Sequence, residues 1–83
     1  MNFTQAFATT LRTLRVERQL SQEELARRSG LHINSIGLLE RELREPSLYT
    51  VFQLAIGLGI PVAQFVQTVE DRKPTIQIEP GPY

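Results

Sequence analysis

Apolar positions recur at helical spacing from the start of this chain to about residue 67, and strand-like alternation is nearly absent before residue 75. From about Phe3 to Arg18, the residues Phe7, Leu11 and Leu14 form one apolar stripe, with Arg12, Arg15, Glu17 and Arg18 on other sides. Ser21-Gln22-Glu23-Glu24 has the form of a capping box, in which the serine oxygen and the Glu24 carboxylate satisfy open amides reciprocally. It predicts a second helix from Ser21 to about Ser29, with Leu25 and Ala26 inward and Gly30 as a left-handed stop. A third helix is expected over about His32 to Arg41, with Ile36 and Leu39 inward. Pro46 disfavours helical geometry at Glu45, so Glu42 to Pro46 reads as a polar connection. Ser47 caps a fourth helix to about Leu58, ended by Gly57 and Gly59, and Pro61 suits the first turn of a fifth to about Gln67. Beyond Asp71, Thr75-Ile76-Gln77-Ile78-Glu79 alternates like a short strand that is either frayed or paired with another chain.

The fourth helix has two apolar faces. Leu48, Val51, Ala55 and Leu58 form one, and Tyr49, Phe52 and Ile56 the other. A helix apolar all round is buried on both sides, and in a chain of 83 residues one side is expected to meet a second copy. Val62 and Val66 of the fifth helix extend that surface, and packing against the chain's own tail is the alternative.

Composition narrows the function. The length suits one domain, placed at 1–70 with a tail at 71–83 that is flexible or associated with the dimer. Nine Lys and Arg balance nine Asp and Glu, so no polybasic arm grips a polyanion by charge alone. Eight of the nine cations are Arg, the residue for bidentate contacts. With no Cys, a single His32 and a single Asp71, the chain offers no nucleophile–base pair and no metal cluster. No enzyme, metal or cofactor is expected. The stretch Leu48 to Val66 is apolar but holds Thr50, Gln53, Gln64 and a Gly57-to-Pro61 break, so no membrane span is expected. Met1-Asn2-Phe3-Thr4 carries no basic leader, and a cytoplasmic location is the default expectation.

Two short helices joined through Ser29-Gly30-Leu31 have helix-turn-helix spacing, which alone leaves a plain bundle and a DNA reader both open. The residues go further. Leu11-Arg12-x-Leu14-Arg15, Leu20-Ser21-Gln22-Glu23-Glu24-Leu25-Ala26, Ser29-Gly30-Leu31, Ile36, Leu39-Glu40-Arg41 and Pro46-Ser47-Leu48 closely resemble the phage-repressor and Cro-like, or XRE-type, helix-turn-helix family. The resemblance runs from about Phe7 to Phe65 and implies an all-α, five-helix lambda-repressor-like domain with helices two and three as the helix-turn-helix. It also implies a transcriptional regulator binding double-stranded DNA with the third helix in the major groove, and the second copy expected at the fourth helix would make it a homodimer on a palindromic site.

Residue by residue, the resemblance assigns Gln22 to the DNA backbone and often a base, and His32, Ile33, Asn34 and Ser35 to the bases. Gly37, Leu38 and Arg41 continue that outward face, and Arg44 with the amides near Ser47 meets phosphates. Asn34 suits adenine, and Ile33 and Leu38 suit thymine methyls. Arg15 and Glu40 match the family's interior ion pair, while Arg12 and Arg18 read as solvated. The chain departs from the pattern at Glu42, where the family usually has Gly, and at Leu43 and Glu45, where a basic residue and an Asn are common. These carboxylates and the apolar Ile33/Leu38 surface support a second reading, a protein-interaction module of the same fold with a protein partner. With no sensor domain in these residues, no small-molecule ligand is expected.

Overall fold

Each helix begins where a side chain or a fixed dihedral closes its open end. The computed structural model describes residues 1–81 and contains α1 (Phe3–Glu17), α2 (Gln22–Ser29), α3 (Ile33–Glu40), α4 (Leu48–Leu58) and α5 (Val62–Asp71). Among the described residues there is no strand, so the all-α, five-helix expectation holds. Ser21 and Ser47 cap α2 and α4, each hydroxyl accepting from the amide three residues on, at 3.0 and 3.1 Å. The reciprocal half of the Ser21 box is not formed, because the Glu24 carboxylate turns outward to Arg27 at 3.1 Å and Arg28 at 3.4 Å. The complete capping box is at α1 instead, where Asn2 and Gln5 exchange side-chain-to-amide bonds of 2.9 Å in both directions.

The helix stops divide into two kinds. Gly30 and Gly59 end α2 and α4 in the left-handed region at φ 69° and 73°, where glycine carries no Cβ penalty. The chain leaves α1, α3 and α5 through left-handed residues that are not glycine: Gln19 (φ 57°), Glu42 (φ 64°) and Lys73 (φ 50°). Behind Glu42, the Leu43 amide donates to the Leu38 carbonyl at 2.9 Å, which closes the α3 terminus.

The core joins all five helices. Phe7 and Leu11 of α1, Leu25 of α2, Ile36 and Leu39 of α3, Leu54 of α4 and Phe65 of α5 are almost wholly buried. Burial of this kind is worth about 1.5–3 kcal/mol per large side chain. α2 packs on both α3 and α4, while α1 packs on α3 and α5. Phe7 and Phe65 meet with ring centroids 5.4 Å apart.

Several expectations are corrected. Leu48 is 70% exposed, and Leu54 takes its place on the inward face of α4 with Val51, Ala55 and Leu58; the helix starts at Leu48, before its inward face has turned under. Gly57 does not end α4 but lies buried inside it, because a Cβ there would run into Ser29 Oγ. Pro61 is the cap of α5, outside its first turn, and α5 extends to Asp71, four residues past the expected end. The tail finds a partner within its own chain, since the Thr75 amide donates to the Met1 carbonyl at 2.9 Å in an isolated parallel bridge with Asn2. Neither Arg12 nor Arg18 is merely solvated. Arg12 Nη2 donates to the Glu40 carbonyl at 2.7 Å, and Arg18 Nε donates to the Leu58 carbonyl at 2.9 Å, covering the end of α4.

No single helix among the described residues is long and apolar enough to cross a membrane, and α4 and α5 meet at a 106° bend. Beyond Thr75 the segment to Glu79 forms no further bridge among the described residues; Pro82 and Tyr83 lie outside them.

Candidate nucleic-acid interface

The turn that sets α3 against α2 is short and closed by backbone hydrogen bonds. Gly30 lets the chain reverse, and the Leu31 amide returns to the Ala26 carbonyl at 2.9 Å. His32 then caps α3, its Nδ1 accepting from the Asn34 amide at 3.1 Å. The leading end of α3 therefore presents His32, Ile33 and Asn34 to solvent. Ile33 is 41% exposed, whereas Ile36 is fully buried in the core.

Two polar clusters flank that end. On the α2 side, Gln22 and Arg41 approach each other across Gly37, with the Arg41 Nε donating to the Gly37 carbonyl at 3.1 Å. On the α4 side, Ser35, Arg44, Glu45 and Ser47 line a groove of about 230 Å³ together with Leu31, Leu39, Pro46 and Thr50. Ser35 is half-buried there, and Leu38 is also half-buried, so neither is as open as expected of a residue nearest the bases. The Ser47 hydroxyl is occupied by its cap and by Thr50 Oγ1 at 2.9 Å, leaving backbone amides of the α4 start as its unspent donors.

Beneath the α2-side cluster lies the Glu40 carboxylate, with a side chain only 1% exposed. Arg15 grips it with two bonds, Nε to Oε2 at 2.7 Å and Nη2 to Oε1 at 2.9 Å. Glu40 raises the Arg15 pKa above the usual arginine range, first through this hydrogen bonding and then by charge, against an opposing effect of burial. The pair is the interior ion pair that the family resemblance implies. The Gln22 amide nitrogen also donates to Glu40 Oε1, at 3.1 Å. Gln22 is thus half-buried and tethered, with its Oε1 and one amide hydrogen left over. That tether joins a surface residue to the core and was not legible in the spacing.

The residues assigned to a dimer contact separate. Tyr49, Phe52 and Ile56 are 73%, 47% and 73% exposed and form a continuous apolar face of α4. Val66 is 48% exposed on α5, whereas Val62 is half-buried against the core. Val66 and Leu48 also border an apolar groove of about 270 Å³ floored by Phe7 and Phe65.

A short, capped helix pair with its second helix exposed at the leading end is a helix-turn-helix DNA-binding domain in architecture. The family model described as helix-turn-helix matches residues 11–65. The chain belongs to that family, in its phage-repressor and Cro-like, XRE-type form, a family of transcriptional regulators and not of enzymes. It is 41% identical over 64 residues to the cryptic phage CTXphi transcriptional repressor RstR of Vibrio cholerae, covering 77% of this chain and 58% of that one. It is 38% identical over 66 residues to the control protein C.SmaI of Serratia marcescens, covering 80% of this chain and 79% of that one. Among solved structures, the restriction-modification controller protein C.AhdI from Aeromonas hydrophila superposes with a TM-score of 0.71 at 39% identity, over 75% of this chain and 94% of the other. The chain thus spans little more than half the length of the Vibrio cholerae repressor.

Proposed function

We propose that this chain is a sequence-specific DNA-binding transcriptional regulator that acts in the cytoplasm, places α3 in the major groove and works as a homodimer on a palindromic operator. The observation that carries the reading is the pair of polar clusters, Gln22 with Arg41 and Ser35 with Arg44, on either side of the exposed end of α3. His32, Ile33 and Asn34 reach base edges in this reading, with Leu38 against a thymine methyl, while Gln22, Arg41, Arg44 and the amides after Ser47 hold phosphates. Tyr49, Phe52, Ile56 and Val66 supply the dimer contact. A two-fold axis there sets two copies of α3 about 34 Å apart, one turn of DNA.

Selection of binding sites from a randomised duplex pool tests this directly. Enrichment of a palindrome with half-sites about 10 base pairs apart is expected. Two free arginines per subunit, Arg41 and Arg44, give a salt slope of about −4 for the dimer, and Arg41→Ala flattens it by about 2. Ile56→Glu is expected to leave a folded monomer with much weaker operator binding. A pool with no enriched sequence would favour the protein-interaction reading, with the exposed Ile33 surface as the contact.

A further inference from the structure

The side chains that cap the helices are not alike. Asn2, Ser21 and Ser47 each accept from the amide three residues on, and all three belong to the types that a helix start favours. α3 begins instead on His32, whose Nδ1 accepts from the Asn34 amide, two residues on, at 3.1 Å. Histidine is not among the favoured types, so capping alone does not account for an imidazole there.

That bond assigns the tautomer. A neutral imidazole has one N–H and one bare nitrogen, and Nδ1 must be the bare one in order to accept. The proton therefore sits on Nε2, across the ring from the cap. The described residues give Nε2 no hydrogen-bond partner, and His32 is exposed together with Ile33 and Asn34. The cap bond also orients the ring, so Nε2–H is a fixed donor at the leading end of α3, with little side-chain freedom left to lose on binding.

In the DNA-binding reading above, that end of α3 is the part nearest the base edges. A lone donor distinguishes those edges. Cytosine meets it with an amino donor, and thymine sets a methyl group beside O4. Adenine offers N7 beside an amino donor, and guanine offers N7 beside O6, two acceptors side by side. With Nδ1 spent on the cap, the imidazole has no acceptor for the adenine amino group, and guanine is the base that suits it.

We infer that His32 reads a guanine in each half-site, donating Nε2–H to N7, and that the cap on α3 holds the ring in the donor tautomer. The inference rests on the DNA-binding reading and adds to it the base and the polarity of the contact.

The tautomer can be tested without DNA. Two-bond proton–nitrogen correlation spectra of the free protein, above about pH 8 where an imidazole is ordinarily neutral, should show the His32 proton on Nε2. A proton on Nδ1 would overturn the inference. His32→Ser keeps a capping oxygen and removes the donor, so it should melt close to the parent, whereas His32→Ala should melt several degrees lower. An unchanged His32→Ala melt would mean that no cap fixes the ring, and the inference would fall.

On the duplex enriched by selection, His32→Ser should bind about 10-fold more weakly than the parent, and on an unrelated duplex of equal length it should bind equally well. Each guanine of the half-site is then replaced in turn by 7-deazaguanine, which lacks the N7 acceptor. One replacement should weaken the parent about 10-fold and leave His32→Ser unchanged. An enriched site without guanine would overturn the contact and leave the regulator intact. So would equal losses in both proteins at every replaced guanine, or a His32→Ser loss of the same size on both duplexes, which would mark a phosphate contact. A parent chain that binds neither duplex would remove the regulator reading itself, and the reading of guanine with it.

Discussion

Removing the Glu40 carboxylate is the perturbation whose cost can be worked furthest from the geometry. Its side chain is 1% exposed and accepts from Arg15 Nε, Arg15 Nη2 and Gln22 Nε2 at 2.7, 2.9 and 3.1 Å, with Arg12 Nε at 3.7 Å. Glu40→Ala leaves Arg15, 14% exposed, with the Leu20 carbonyl at 2.9 Å as its remaining side-chain partner. Breaking a buried pair by deleting one member costs about 3–5 kcal/mol, since the remaining charge is uncompensated. A domain of this size has roughly 4–12 kcal/mol in total. At about 4–8 °C per kcal/mol, the melting temperature should fall by at least 12 °C.

The double variant Arg15→Met/Glu40→Leu replaces the pair with apolar groups of similar volume and should recover most of that loss. Circular dichroism melts and urea titrations of both single variants and the double close the cycle. A Glu40→Ala protein within 1 kcal/mol of the parent would refute the reasoning, and so would a double variant no more stable than the worse single. The pH dependence has a defined sign. Arg15 has its pKa raised on folding, so its contribution is complete below the unfolded value and is lost only as pH rises through the folded one. That window is strongly alkaline, so Arg15 should contribute no pH dependence to stability from roughly pH 6 to 9.

Gly57→Ala forces a methyl group against Ser29 Oγ and within 3.1 Å of Leu25 Cδ1, and overpacking between α2 and α4 should cost about 1–3 kcal/mol in urea unfolding. Ser29 Oγ is buried without a hydrogen-bond partner, so Ser29→Ala alone should be neutral or stabilising by about 1 kcal/mol and should rescue part of the Gly57→Ala loss. Glu42 holds a left-handed conformation at φ 64°, and Glu42→Gly should raise the melting temperature by a few degrees, the relieved strain of about 1–2 kcal/mol exceeding the added chain entropy. Asn2→Ala removes the acceptor for the Gln5 amide at 2.9 Å and should destabilise by about 1 kcal/mol; no change in the melt would mean that the end of α1 is already frayed.

Most of the helical framework was legible because it rests on local rules. Ser21, Gly30, Ser47 and Gly59 each do at their own position what their chemistry dictates. The interior pair Arg15–Glu40 was legible only through family resemblance, since 25 residues separate its members. What escaped was set by contacts distant in sequence. Arg18 covers the end of α4 from 40 residues away, and Arg72 Nε reaches Thr10 Oγ1 at 2.8 Å from 62 residues away. Gly57 looked like a helix stop because its other role, admitting Ser29, depends on how α2 crosses α4. The Asn2–Gln5 box has the same spacing as Ser21–Glu24, with Asn and Gln in place of Ser and Glu.

A neutral chain that binds DNA must obtain its affinity from where its charges stand. Glu40 occupies Arg15 and draws in Arg12, Glu24 occupies Arg27 and Arg28, and Glu17 lies 4.0 Å from Arg18, so five of the eight arginines have carboxylate partners within the domain. Arg41 and Arg44 are exposed at the end of α3, but Glu42 and Glu45 are exposed beside them. A diffuse field at that end is therefore nearly cancelled, which removes the non-specific attraction that a basic stripe would supply. In the proposed complex, binding would then depend on both arginines meeting phosphates at fixed positions while the two carboxylates point away from the strand. Rigid placement of Arg41 by the Gly37 carbonyl, and of Gln22 by Glu40, is how such a surface can discriminate. A misplaced duplex meets carboxylates as readily as guanidinium groups, and like-charge contacts of that kind penalise the wrong register.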